Sequence, residues 1–390
     1  MAGDQLARVA ITLLVFSQTH SALLAAIAFA ASVVPTFVGG LTLSGLADRW
    51  PRRQVMIVCD LSRAVMVGIM ALPWMPIAAR VLLLFLVTMV GAPFTAARAA
   101  LYPDILPGDR YVLGTAVTLT TLQFAQVLGF AVGGAVVAFF GVRASLLVDA
   151  ATFILSAVII RVWVRSRPAA HPPPVRASPA GRTSAESPGR GLRAGLQLIF
   201  ASPPLLVPML YGWLSTFYNV PEGIAAPLAG ALGGGAVAVG LILAAGAFGA
   251  SVGAVLFGRL VEPRWRLRWM APLATMSCAV LMLFFFQPPL PVALLVLTAS
   301  GLFDCYQLAA NAAFVRAVPH RQRSQAFGIA QGGMNLGQGT AMIIAGAVAQ
   351  HVAPSDVIAA TGLLGTVAAI SVALFSRNRS AEPDPSRPAI

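Results

Sequence analysis

Apolar runs of 17 to 29 residues recur along nearly the whole chain, and their ends are marked by Arg, Pro and Gly. Each run is long enough to cross a hydrocarbon layer of roughly 30 Å as a helix. The pattern predicts helices over 1–19, 22–44, 55–72, 80–97, 112–140 and 144–163, then over 204–221, 236–258, 269–286, 291–315, 326–350 and 355–375. The expected fold is an all-α membrane protein of two six-helix bundles, 1–163 and 204–376, joined by a linker over 164–203 and followed by a tail over 377–390. The linker contains RSRPAAHPPPVRASPAGRTSAESPGRG, a composition that cannot bury a core. Its later part, near Leu192 to Phe200, is expected to form a short surface helix.

Composition agrees with this reading. Hydrophobic residues make up 58% of the chain and charged residues 10%, against about 25% charged in a soluble domain. The lipid bilayer is therefore the main solvent. All 26 basic residues are Arg, and 22 of them fall in loops that share the linker's side of an even helix count. Arg80 and Arg143 fall in opposite-side loops, and Arg8 and Arg63 lie within helices. Positive-inside bias then places the linker and both termini in the cytoplasm, with the chain in the cytoplasmic membrane.

Other functions find little support in the residues. No stretch interleaves aromatic with basic side chains, so no nucleic-acid partner is expected. Cys59, Cys278 and Cys305 stand singly in apolar segments and read as packing residues. His20, His171, His320 and His351 lack metal-ligand spacing, so neither a metal nor a cofactor is expected. Asp104 and Asp109 share a loop with Arg98 and Arg110, a solvated charge cluster rather than a catalytic constellation. The expectation is a protein that is not an enzyme.

The two halves are related to each other. Gly40 and Gly45 recur as Gly253 and Gly258 at an offset of 213, and Ala99-Ala100-Leu101 recurs at the same offset as Ala312-Ala313-Phe314. Each copy of the second motif is followed by a Pro, Pro107 or Pro319, and an Arg-containing loop. Such duplication is the signature of a transporter built from two halves about an axis along the membrane normal.

The loop after the second predicted helix reads GLADRWPRR, Gly45 to Arg53. It resembles the Gly-x-x-x-Asp-Arg-x-x-Arg-Arg signature of the major facilitator superfamily, shortened by one residue between Gly and Asp. Asp60-Leu-Ser-Arg63 and AARAALYPDILP resemble that superfamily's twelve-span exporters of drugs and siderophores, and VPEGIAAPLAG, Val220 to Gly230, resembles actinobacterial members of that branch. The resemblance implies the major facilitator fold with pseudo-two-fold symmetry, alternating access, and proton-coupled efflux of a small amphipathic molecule by a single copy of the chain. GFAVGG, Gly129 to Gly134, resembles the Gly-Pro-x-x-Gly-Gly pattern associated with exporters, but Phe130 stands where the Pro would be. An importer or uniporter of the same fold therefore stays open. In the resembling family the pair matching Gly3-Asp4 lies mid-helix. The first helix here is accordingly short, through either an upstream start or a tolerated short span.

In the signature loop, Gly45 permits close helix approach, while Asp48 can cap the next helix and pair with an Arg. With Arg49, Arg52 and Arg53 these residues are expected to form a gating cluster that breaks and reforms as the halves rock. The alternative is that the arginines only anchor topology. Gly129/Gly133, Gly249/Gly253 and Gly333/Gly337 are small-xxx-small pairs expected to serve tight helix packing.

Ionisable groups at membrane depth face a bundle interior or a watery cavity, where a carboxyl can exchange a coupling proton. Asp4 is the first candidate and Asp304 the second; Asp149 and Glu222 follow, and Glu222 can also be read as solvated at the outer end of the seventh helix. Arg8 stands one turn from Asp4 and can pair with it. Asp60 with Arg63 reads as an inner-surface pair. Asp304, Gln307 and Asn311 form one polar stripe, and Gln331, Asn335 and Gln338 another. Together with Gln123, Phe124, Trp213, Phe217, Tyr218 and Tyr306 they are the candidates for lining a substrate cavity.

Overall fold

A computed structural model describes residues 2–43, 50–105, 109–165, 197, 199–200, 202–319 and 323–381. Gly45, Asp48 and Arg49 of the signature loop, and most of the expected surface helix near Leu192 to Phe200, lie outside the described residues. The first half contains α1 (Ala2–Thr19), α2 (Ala22–Ala30), α3 (Val34–Leu43), α4 (Arg52–Met70), α5 (Ile77–Ile105) and α6 (Asp109–Trp163). The second contains α7 (Pro203–Trp213), α8 (Ser215–Tyr218), α9 (Val220–Gly223), α10 (Ala225–Ala231), α11 (Ala236–Leu260) and α12 (Arg266–Ala279). A 3-10 helix (Val280–Phe286) extends α12, and α13 (Leu290–Phe303), α14 (Tyr306–Ala317), α15 (Arg323–Val348) and α16 (Pro354–Ala381) complete the chain. Every described element is helical, and every segment expected from the sequence falls on helix, whole, broken into pieces or, for two of them, sharing α6.

The breaks are where sequence and structure differ. The segment 22–44 divides at Ala31–Val33, because Pro35 has no N–H to give back to the preceding turn. The two helices expected over 112–140 and 144–163 are both present within α6 and meet at a kink at Gly141, in place of the short loop expected between them. The apolar stretch Thr120–Trp163 spans 44 residues, about twice what the hydrocarbon layer needs. It turns on Gly141 alone, at φ 79° and ψ 170°, a conformation that side chains exclude. The seventh segment, expected to end at 221, continues to Ala231 as four short pieces, with Pro208, Pro221 and Pro227 along it. The tenth is interrupted at Asp304 and Cys305.

Arginines finish helix ends on both faces. Arg80, expected in a loop, is buried in the first turn of α5, where Nε donates to the Met70 carbonyl at 3.2 Å and Nη2 to that of Leu72 at 2.9 Å. It satisfies carbonyls that the end of α4 leaves without helical partners. Arg52 Nη1 donates to the Ala100 carbonyl at 2.7 Å, and Arg53 Nη2 donates to that of Arg161. These bonds tie α4 to α5 and α6 within the first half.

Glycines set the closest crossings. Gly39 lies on Met89 of α5, and Gly253 lies on Leu302 of α13, so one crossing recurs at offsets of 214 and 213 residues. The offset read from the motifs thus has a structural counterpart, displaced by one residue from Gly40. Gly249 packs on Thr298 and Leu302, Gly333 on Trp213 and Gly337 on Thr216, which is the tight packing expected of these pairs. The halves themselves meet where α6 crosses α11 and where α15 crosses α2 and α3. At the face opposite the linker, Gly134 touches Gly240, Gly346 lies against Ala22 and Ala26, and Gln350 Nε2 donates to Ser21 Oγ at 2.7 Å.

Candidate functional site

Three interior cavities hold most of the predicted residues. In the first half, α1 brings Asp4 and Arg8 beside Arg63 of α4 and Asp149 of α6, around a cavity of about 510 Å³. Arg63 Nη2 binds Asp4 Oδ1 at 2.7 Å, and its Nη1 lies 4.0 Å from Asp60 Oδ1. Asp60 Oδ2 accepts from Ser156 Oγ at 2.6 Å, and the Arg63 guanidinium stands 4.1 Å from the Phe153 ring centre. Asp60 and Arg63 are both buried in mid-helix. The expectation that they form an inner-surface pair is therefore corrected: they bridge three helices inside the bundle, a placement set by the direction in which α4 faces its neighbours. Arg8 extends to α2's end and donates from Nη2 to the Ser32 carbonyl at 3.1 Å, at the break that Pro35 imposes.

Asp149 has no exposed surface. Thr152 Oγ1 donates to the Asp149 carbonyl at 2.7 Å and approaches Oδ1 at 3.4 Å, while Oδ2 has no hydrogen-bond partner among the described residues. Gly3 packs onto this carboxyl and onto Thr152 so closely that a Cβ there would overlap both. A side chain at position 3 would therefore have to turn the Asp149 carboxyl and the Thr152 hydroxyl aside.

A second cavity, about 190 Å³, lies at the junction of the halves. Gln123 and Gln126 reach it from α6; Tyr218, Glu222 and Asp304 reach it from the second half. Tyr218 donates its hydroxyl to Asp304 Oδ1, and Gln307 Nε2 donates to Tyr218 at 2.9 Å and to the Gly212 carbonyl at 3.2 Å. Tyr306 is buried beneath this network, its hydroxyl donating to the Tyr211 carbonyl at 3.1 Å. Glu222 is half-buried and faces the cavity. The reading of it as solvated at the outer end of the seventh helix is corrected, because the broken segment places it within α9 and continues through α10. No basic side chain is among the described residues lining this cavity.

A third cavity, about 430 Å³, is confined to the second half and takes Trp213, Gln307, Asn311 and Gln331. The break at Asp304 and Cys305 divides the predicted stripe on the tenth segment. Asp304 turns to the junction and Asn311 to this cavity, with Gln307 between them. Gln331 Nε2 donates to Asn335 Oδ1 at 3.1 Å, and Asn335 Nδ2 lies 3.5 Å from Thr36 Oγ1 across the halves. Gln338 Nε2 donates to Ser215 Oγ at 2.9 Å, a packing bond. Phe124 is 65% exposed and lines none of the three. Gln126, Asn219 and Ser300 line the junction cavity without having been expected. Each stands three or four residues from a named candidate (Gln123, Glu222 and Asp304 respectively), a helical spacing that could have found them.

An all-helical bundle whose ionisable and amide side chains collect in chambers within and between two related halves has the architecture of a polytopic membrane transporter. A family model described as Major Facilitator Superfamily matches residues 1–221 and 223–390, and the chain belongs to that family. Solved structures of similar fold include a POT family transporter in complex with a thioalcohol-conjugated peptide, at TM-score 0.72 and 10% identity over 97% of this chain and 94% of that one. Another is the xylose transporter XylE from E. coli in an inward-open conformation, at TM-score 0.70 and 13% identity over 96% and 94%. A third is the occupied, inward-facing bacterial homologue of the human lysosomal transporter Spinster, at TM-score 0.69 and 15% identity over 97% and 94%. No curated protein matches the sequence.

Proposed function

We propose that the protein is a proton-coupled secondary transporter of twelve spans that exports small amphipathic molecules from the cytoplasm by alternating access. The observation that carries this reading is the junction cavity, in which Glu222 and Asp304 of one half face Gln123 and Gln126 of the other. An occupant there contacts both halves, so its binding biases their relative arrangement. Two carboxyls at membrane depth, with Arg8 of α1 the one cation whose charge reaches Glu222 among the described residues, favour an occupant that brings further positive charge, whether a proton or part of the substrate. Asp149 supplies a second proton-binding group in the first half, next to the Arg63–Asp4 pair.

The halves over 1–163 and 204–376 act as the two rocking bodies of a single copy, with the linker over 164–203 and the tail over 377–390 in the cytoplasm. In the gating cluster, Arg52 and Arg53 hold the first half together, and rocking is left to the contacts between halves. Import or uniport by the same chambers is the second reading. It is favoured by the unbroken course of α6 past Phe130, where an exporter's Pro would kink the helix.

The test is compound-induced proton movement in energised inverted vesicles from a pump-deficient host, across a panel of amphipathic antibiotics and siderophores. Proton flux that requires both a compound and an intact Asp304, and is lost in Asp304→Asn, is the expected result. If no compound moves protons through a folded, inserted protein, proton-coupled export is rejected and uniport takes its place.

A further inference from the structure

On the linker's face, the end of α11 and the start of α12 carry a dense cluster of Arg and Trp that no transport step uses. Arg259, Arg264, Arg266 and Arg268 lie within ten residues of one another, and Glu262 is the single acid among them. Arg264 Nε is engaged with Glu262 at 2.6 Å, and Arg266 is turned back to cap α11 through the Val261 and Gly258 carbonyls, each at 3.0 Å. Arg259 and Arg268 remain exposed, with no ion pair among the described residues; the Arg268 guanidinium stands 5.3 Å from the Trp265 ring centre. Beside them an open apolar groove of about 240 Å³ runs between α11, α12 and α13, with Leu256, Leu260, Trp269 and Leu273 along its sides and Cys305 at the interrupted helix. Leu260 and Trp269 adjoin the two free cations directly in sequence and reach half exposure or more.

We propose that this surface is a binding site for an anionic phospholipid. One acyl chain lies in the groove and the phosphate head group sits on Arg259 and Arg268. Three properties identify the occupant. The groove is open and apolar and lies between helices long and apolar enough to cross the membrane, so its filler is a hydrocarbon chain. The cations stand at its linker end, where the head groups of that leaflet lie, and their charge, paired by no acid among the described residues, selects an anionic head over a zwitterionic one. Trp265 and Trp269 have the amphipathic ring character that places tryptophan at the head-group level.

The site is tested by native mass spectrometry of the full chain released from mixed phosphatidylglycerol and phosphatidylcholine micelles. Phosphatidylglycerol should be retained in preference by about fivefold per free arginine, or about 30-fold for the pair. Arg259→Gln with Arg268→Gln should bring retention of the two lipids to near parity. Arg264→Gln, which removes a guanidinium already engaged by Glu262, should leave the preference in place. Filling the groove by Leu256→Trp should lower retention of both lipids together, and excess inorganic phosphate should displace neither. An absent preference in the wild type, a preference that survives the double substitution, or displacement by free phosphate overturns the proposal. The measurement needs no substrate or gradient, so its outcome is independent of that of the flux experiment.

Discussion

The crossing of Gly134 on Gly240 closes the halves at the face opposite the linker, and a single methyl group should reopen it. A Cβ on Gly134 would fall 2.7 Å from the Ala236 carbonyl oxygen and 2.8 Å from the Gly240 Cα; one on Gly240 would fall 2.7 Å from both the Gly134 Cα and the Phe130 carbonyl oxygen. The obstacles are backbone atoms, so no rotamer relieves the overlap. Ordinary contact begins near 3.4 Å, and α6 and α11 must therefore separate by about 0.7 Å. Overpacking of this kind costs about 1–3 kcal/mol, which shifts an equilibrium between closed and open faces by about 5- to 150-fold. Gln350 and Ser21 report the same face, because their side chains bond across it. Cross-linking of Ser21→Cys with Gln350→Cys, in a background lacking Cys59, Cys278 and Cys305, should fall on adding Gly134→Ala and should fall likewise with Gly240→Ala. Unchanged cross-linking yield in an inserted protein would refute the close crossing and the closure assigned to it.

Arg63→Gln takes the shared guanidinium from the partly exposed Asp4 and the buried Asp60 and should destabilise the first half by about 1–3 kcal/mol, read as a lower unfolding midpoint in detergent. Asp4→Asn in the same chain should restore part of the loss, and an unchanged midpoint for Arg63→Gln alone would count against the pair. Arg80→Met strips the Met70 and Leu72 carbonyls of their donor in a buried setting and should cost about 1–3 kcal/mol by the same measurement. Gly141→Ala forces a side chain into a backbone conformation reserved for glycine and should cost about 1–3 kcal/mol. A neutral result there would mean that α6 turns by some other route.

Local chemistry made a large part of this molecule legible. Long apolar runs have one stable form in lipid, the helix, since every backbone group must find its partner within the segment; hence the segments were readable, as was their division into two related sets by the offset of 213 residues. The signature around Asp48 to Arg53 gave the family, which the whole-chain match bears out. Charged residues inside apolar runs had to point inward, and Asp4, Asp149 and Asp304 do.

What hydropathy could not supply was partner and place. Arg63 reads from its spacing as a companion of Asp60, yet it makes its short bond to Asp4, 59 residues away on another helix. Glu222 reads as the end of a span because the seventh apolar segment is expected to end at 221, and only the continuation through α10 puts it in a chamber. The stripe on the tenth segment reads as one face because helical spacing assumes an unbroken helix; the interruption at Asp304 sends its members to different cavities. Periodicity fixes which side of a helix is polar, since that follows from bonds within one segment. Which polar groups meet is set by helix breaks and by crossings such as Gly3 on Asp149 and Gly134 on Gly240, where distant stretches of chain must already be in contact.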